Sequence, residues 1–200
     1  MSRSRSTEAH DKVVHTALTL FGARGIDSTS MDAIARESGV SKATIYNHWE
    51  NKEALLMEVM LHVNGLNREQ EDVDTGDLER DLATILSRKP PGEFEEARNR
   101  MTPGLIAYSA VHPEFGQAWR NRVMEPPRQS LRRVLKRGID RGVLEPTVDL
   151  DLAMALLLGP LLYNHIFTKG AGEKKREIGA ATAHAFVRAF GVKPSSRKPK

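Results

Sequence analysis

Apolar residues recur at intervals of three and four along nearly the whole chain. Val13, Val14, Ala17, Leu18 and Phe21 place one apolar face on a helix over about 7–24, which Gly25 ends. Ser30 is positioned to cap a second, short helix carrying Met31, Ile34 and Ala35, and Gly39 stops it. Ser41 opens a third helix with Ile45 and Tyr46. Asn51 opens a fourth, whose buried face is Leu55, Leu56, Val59, Met60 and Val63. No stretch of strand length alternates with period two, so the pattern predicts an all-α protein.

The second half is also helical, with more punctuation. Residues 67–77, with Glu69, Glu71, Asp72, Asp74 and Asp77, read as an acidic connector. Leu78, Leu82, Ile85 and Leu86 mark a short helix that Lys89-Pro90-Pro91-Gly92 stops. Helical character resumes near Glu93, with breaks expected at Pro103-Gly104, His112-Pro113 and Pro126-Pro127. Leu131, Val134, Leu135 and Ile139 give another helix, ended by Gly142. The last two helices, over about 150–167 and 174–190, are the most apolar, and Gly179, Ala180 and Ala183 leave room for close approach. The apolar run from Leu152 to Tyr163 falls short of the ~20 residues a membrane span needs, so it is expected to be a buried helix. From Val192 onward, Lys, Pro and Ser predict a disordered tail.

Composition changes the picture in two places. The 200 residues carry 30 Lys plus Arg against 26 Asp plus Glu, a formal charge of +4, and no cysteine. Zero cysteine excludes a disulfide scaffold, a thiolate metal site and a thiol nucleophile. The basicity lies at the end of the chain: residues 1–66 are net −1, 67–168 net −2 and 169–200 net +7. A global basic patch therefore cannot be inferred, and any DNA reader has to be found as local geometry. No apolar signal core follows the basic N-terminus, and a cytoplasmic location is expected. An enzyme reading finds no His-x-x-x-His or Glu-x-x-His pairing and no glycine-rich phosphate loop. Adjacent Glu95 and Glu96 diverge on a helix. No catalytic residue, metal or cofactor is expected.

The informative block is 30–56. Two short helices are separated by Ser38-Gly39-Val40, the grammar of a helix-turn-helix: a supporting helix, a tight glycine turn and a helix free to enter a groove. In the second helix Ile45 faces inward, while Lys42, Ala43, Thr44 and Asn47 point away and are short or polar, as a major-groove reader requires. Phe21-Gly22-Ala23-Arg24-Gly25, Ile34-Ala35, Gly39-Val40-Ser41-Lys42, Tyr46-Asn47-His48-Trp49 and Asn51-Lys52-Glu53-Ala54-Leu55-Leu56 together resemble the TetR family of repressors over about 8–60.

That resemblance implies a reading head on a helical ligand-binding and dimerisation domain. The expected division is a DNA-binding domain over 1–52, a connecting helix over 53–66, a regulatory and dimerisation domain over 67–191 and a basic tail over 192–200. It implies that Lys42 and Ala43 approach bases, that Thr44, Tyr46 and His48 fall where phosphates are touched, and that Lys52 holds a phosphate at the start of the next helix. Ser30 and Ser41, the cap residues, and Asn47 complete the DNA-facing set. Asn47 and Trp49 depart from the commoner residues of the family; Trp49 is expected to fill the core. Acidic Asp32 is not expected to touch a phosphate.

One helix-turn-helix reads one half-site, so a homodimer on a palindromic operator in double-stranded DNA is expected. The apolar late helices suggest an interface at Leu157, Leu161, Ala181, Ala185 and Phe186. A small apolar or amphipathic ligand would be lined by Met101, Leu105, Tyr108, Phe115, Trp119 and Met124, with His112 and Asn164 as polar anchors. Its binding would lower DNA affinity through a state with wrongly spaced heads. The alternatives are a ligand-independent regulator, an activator, or an adaptor that keeps the helix-turn-helix only for protein binding.

Overall fold

The computed structural model describes residues 2–66, 71–88, 92–167 and 177–192. The described elements are α1 (Ser2–Arg24), α2 (Met31–Ser38), α3 (Lys42–His48), α4 (Lys52–Val63), α5 (Leu78–Leu86), a 3-10 turn (Gly92–Phe94), α6 (Glu95–Val111), α7 (Pro113–Trp119), a π turn (Arg120–Met124), α8 (Glu125–Asp140), α9 (Leu150–Phe167) and α10 (Ile178–Phe190). Among the described residues there is no strand, only an isolated antiparallel bridge between Leu144 and Gly191. The caps are where their residue types place them. Ser30 accepts from the Ala33 N–H, Ser41 from Thr44 and Asn51 from Ala54.

The chain forms two compact units, Met1–Gln70 with Lys89–Glu125 and Glu71–Arg88 with Pro126–Lys200. This differs from the division at residue 67 that the sequence suggested. In the first unit, α1 buries Val13, Val14, Ala17, Leu18 and Phe21 against Ile34, Ile45 and the apolar face of α4, and α6 and α7 add Met101, Leu105, Tyr108 and Phe115 to the same core. An apolar face on α1 wide enough to serve α2, α3 and α4 also accommodates α6, because burial is indifferent to distance along the chain.

The second unit centres on Leu82, Leu135, Leu144 and Leu157, with Phe186 of α10 packed among them. Gly179 is required at the start of α10: a Cβ there would lie 2.8 Å from the Leu86 carbonyl carbon and the Ser87 nitrogen. Side chains at that position would push α10 off α5.

The acidic stretch is held rather than solvated. Arg137 ion-pairs with Asp72 at 2.6 Å and donates to the Val73 carbonyl. Arg141 holds Asp74 through two bonds of 2.9 Å, and buried Asp81 accepts from both the backbone N–H (2.9 Å) and the hydroxyl (2.6 Å) of Thr75. Hydrogen bonds from Arg137 and Arg141 hold the Asp72 and Asp74 carboxyls below the usual carboxylate range. Residues 67–70 of the expected connector lie outside the described residues.

Several boundaries move for identifiable reasons. α1 begins at Ser2 rather than near residue 7. Pro103 sits inside α6 instead of breaking it, so the helix forgoes one backbone bond at the Asn99 carbonyl. Pro126 and Pro127 do not break the chain either: they directly follow the π turn within one helical run from Pro113 to Asp140, which forgoes the two backbone bonds they cannot donate. Only the His112-Pro113 break is present, with Pro113 opening α7. Of the expected last helix, α10 is described from Ile178, and 174–176 lie outside the described residues. Val192 donates to the Val143 carbonyl at 2.9 Å, and the tail over 193–200 lies outside the described residues.

α9 is the largest correction. Its apolar residues do not make it a buried helix: Leu152, Leu156, Leu162, Tyr163 and Phe167 are exposed, and only Ala153, Met154 and Leu157 are buried. It is long and apolar enough to cross a membrane by length and composition.

The Asp81 bonds generate a stability prediction. Asp81→Ala removes the carboxylate to which both Thr75 groups donate and is expected to lower the unfolding free energy by about 2 kcal/mol, measured by urea unfolding of the whole chain.

Candidate nucleic-acid interface

α2 and α3 meet across a turn whose geometry requires glycine. Gly39 has φ +69° and donates its N–H to the Ala35 carbonyl at 3.1 Å, closing α2 and reversing the chain. Ser38 accepts from the Val40 N–H, and Ser41 then caps α3 while its hydroxyl lies 2.8 Å from that of Thr44. Ile45 and Trp49, both buried, anchor one side of α3 to the core. The other side faces solvent: Lys42, Ala43, Tyr46, Asn47 and His48 are exposed and Thr44 is half-buried. Tyr46 is 50% exposed, so it is no core aromatic. His48 lies beside Trp49 with the rings tilted (5.4 Å between centroids) and meets His10 of α1 edge-on (5.8 Å). Lys42 ion-pairs with Asp32 of α2 at 2.7 Å.

Family models match nearly the whole described chain. One, described as "Bacterial regulatory proteins, tetR family", matches residues 13–59. Another, "Tetracyclin repressor-like, C-terminal domain", matches 72–189. The chain belongs to the tetR family.

This TetR-family protein is a DNA-binding transcriptional regulator and not an enzyme. It is 30% identical over 161 residues to the DNA-binding transcriptional repressor TetR of Mycobacteroides abscessus, covering 77% of this chain and 79% of that one. It is 28% identical over 167 residues to the HTH-type transcriptional regulator YdeS of Bacillus subtilis, covering 83% and 82%. The crystal structure of a TetR family transcriptional regulator from Pseudomonas syringae pv. tomato superposes with a TM-score of 0.64 at 25% identity, covering 94% of this chain and 98% of that one.

The TetR-family reading head has polar ties that its sequence pattern did not reveal. The Lys52 ammonium donates to the Ile26 carbonyl at 2.9 Å, binding the loop between α1 and α2 to the first turn of α4, and it lies 5.8 Å from the centre of the Tyr108 ring. Lys52 is thus not a solvated charge aimed only outward. In the same loop, buried Thr29 donates its hydroxyl to the Gly25 carbonyl at 2.8 Å. Glu53 accepts from the Tyr108 hydroxyl at 3.0 Å and lies 3.7 Å from His112 Nδ1. No periodicity links Lys52 with Ile26, or Asp32 with Lys42, so sequence spacing carried no signal for either pair. Glu53 lies one helix turn from no partner in sequence; its partners come from α6 and the residue after it.

The residues expected to line a ligand site are placed differently from one another. Met101, Leu105, Tyr108 and Phe115 are buried members of the first unit's core, Trp119 is half-buried against it and Met124 is exposed. Tyr108 and His112 stack with centroids 3.9 Å apart, and the Tyr108 hydroxyl is already engaged by Glu53. Asn164 belongs to the second unit. The Trp119 ring N–H is buried and has no hydrogen-bond partner among the described residues. The expected interface residues also divide: Leu157 and Phe186 are core, Leu161 is half-buried, and Ala181 and Ala185 are exposed. Core membership explains the apolar stripe of Met101, Leu105 and Tyr108, since a helix packed inside a domain needs the same spacing.

Burial first, and the Glu53 carboxylate second, push the Tyr108 phenol up to about 12. Folding therefore favours the neutral phenol. The contribution is complete below the ordinary phenol range near pH 10 and is lost as pH rises through about 12. Urea unfolding between pH 9 and 12 is expected to show a fall in stability with alkali that Tyr108→Phe makes shallower.

Proposed function

We propose that the chain is a homodimeric repressor that binds a palindromic operator through α3 and is released from it by a small apolar or amphipathic ligand in its C-terminal domain. The observation that carries the DNA part is the two-sided character of α3, pinned by Ile45 and Trp49 with Lys42, Ala43, Tyr46 and Asn47 outward. Lys42 and Ala43 approach base edges in the major groove. Thr44, Tyr46 and His48 meet phosphates, which set register rather than sequence. Asn47 reads or flanks a base, and the Ser30 and Ser41 caps present their helices to the backbone. Lys52 keeps the loop to α2 in place and turns its remaining donors toward a phosphate. The M. abscessus relative is named a repressor, which supports the sign of regulation.

Dimerisation rests on α9. Leu152, Leu156, Tyr163 and Phe167 recur on one face of a helix and are exposed, Phe167 by 70%. Covering a large apolar side chain contributes about 1.5–3 kcal/mol, and these positions give a second copy reason to bind. The interface therefore includes Leu161, Ala181 and Ala185 from the expected set and replaces Leu157 and Phe186 by the exposed residues of α9.

A ligand-independent regulator is the second reading. It is favoured by Met101, Leu105, Tyr108 and Phe115 packing as core. Native mass spectrometry of the purified protein separates the two: a retained small molecule supports the ligand-released repressor, and a chain that holds none and keeps its operator in every extract fraction supports the other.

Gel shift against a palindrome from upstream of the gene tests the whole. A folded chain that binds no duplex at low salt would sink the DNA reading. Leu156→Glu with Tyr163→Glu is expected to give monomers in sedimentation and to weaken operator binding by about a hundredfold, since two linked heads bind with ~10²–10⁴ greater avidity than one.

A further inference from the structure

The Lys42–Asp32 pair does little for the fold. Both side chains are more than half exposed (58% and 61%), and solvent-screened pairs of this kind contribute little to stability. α2 and α3 are already joined by the Gly39 turn and by buried Ile34 and Ile45. The carboxylate nonetheless lies 2.7 Å from the one ammonium expected to approach bases.

A lysine alone reads sequence poorly. Its ammonium is satisfied by any phosphate and by any acceptor in the groove. Beside Asp32, the same ammonium is part of a donor–acceptor couple. In the major groove a G·C pair presents two neighbouring acceptors, guanine N7 and O6, followed by the cytosine N4 amino donor. Lys42 over the two acceptors and Asp32 on the amino group satisfies every group in that row. An A·T pair presents its donor between two acceptors. A carboxylate placed on the adenine amino group then also faces the thymine O4, and Lys42 keeps only one acceptor. On phosphate alone the carboxylate is repelled.

We propose that Asp32 is a specificity-determining residue, which together with Lys42 reads one G·C pair in each half-site and disfavours binding elsewhere. The assignment rests on α3 entering the major groove. Its selectivity comes from a group that is penalised at the wrong sequence, not only from one rewarded at the right sequence.

Selection of duplexes from a randomised library by the full chain, followed by affinities on the selected and on a scrambled duplex at several salt concentrations, tests it. The native chain is expected to select G·C at one position of each half-site. Asp32→Ala is expected to relax that position, to raise affinity for the scrambled duplex by about tenfold and to steepen the salt dependence by about one unit, because Lys42 is then free for a phosphate. Asp32→Asn, which keeps an acceptor but no charge, is expected to gain scrambled-duplex affinity while retaining part of the cytosine preference. Lys42→Gln is expected to relax the same position with the opposite effect on the scrambled duplex. The proposal is overturned if Asp32→Ala leaves selection and scrambled-duplex affinity unchanged, or weakens all duplexes alike with an unchanged circular dichroism spectrum. Selection of A·T at the Lys42-dependent position overturns it as well. A native chain that selects no duplex overturns the DNA reading itself, which is a separate result.

Discussion

A helix of seven residues does not hold its shape in water, because so few backbone bonds cannot offset the entropy of nucleation. α3 exists as a helix because Ile45 and the following Trp49 are driven into the core of the first unit while Ser41 caps its start. The same two burials fix its rotation about its own axis. Lys42, Ala43, Tyr46 and Asn47 are outward because Ile45 is inward, and no separate interaction is needed to aim them. The rest of the first unit serves this constraint, with α1 and α2 packed against α3 and with α4, α6 and α7 completing the same core.

Charge is used locally throughout. Arg137 and Arg141 engage Asp72 and Asp74, Arg132 lies 2.7 Å from Asp151, and Lys42 is held by Asp32. A formal charge of +4 therefore says nothing about which surface meets DNA. What matters is which cations sit on the exposed side of α3 and what competes for them.

The reading head was legible because its determinants are local. Capping serines, a glycine turn and an apolar residue once per turn all act over three or four positions, and each is written in the sequence that uses it. Tertiary partners are not written that way. Asp32 and Lys42, or Lys52 and the Ile26 carbonyl, are joined by folding and not by spacing. The prolines show a related limit: a missing N–H costs a helix one bond but does not by itself end it, and Pro103, Pro126 and Pro127 all lie within helical runs. Met101, Leu105 and Tyr108 illustrate the opposite difficulty, since core and cavity wall share one pattern. Apolar residues all round α9 predict burial, yet hydrophobicity specifies a wish for cover and not its source.

The hydrogen bond from Lys52 to the Ile26 carbonyl gives the first unit a mechanical property. It fastens the N-terminal turn of α4 to the loop that leads directly into α2, while Glu53, the next residue, is fastened to Tyr108 of α6. Two adjacent residues thus fasten the first turn of α4 on two sides, to α6 and to the approach to the reading head. Displacing that turn from either neighbour costs a hydrogen bond.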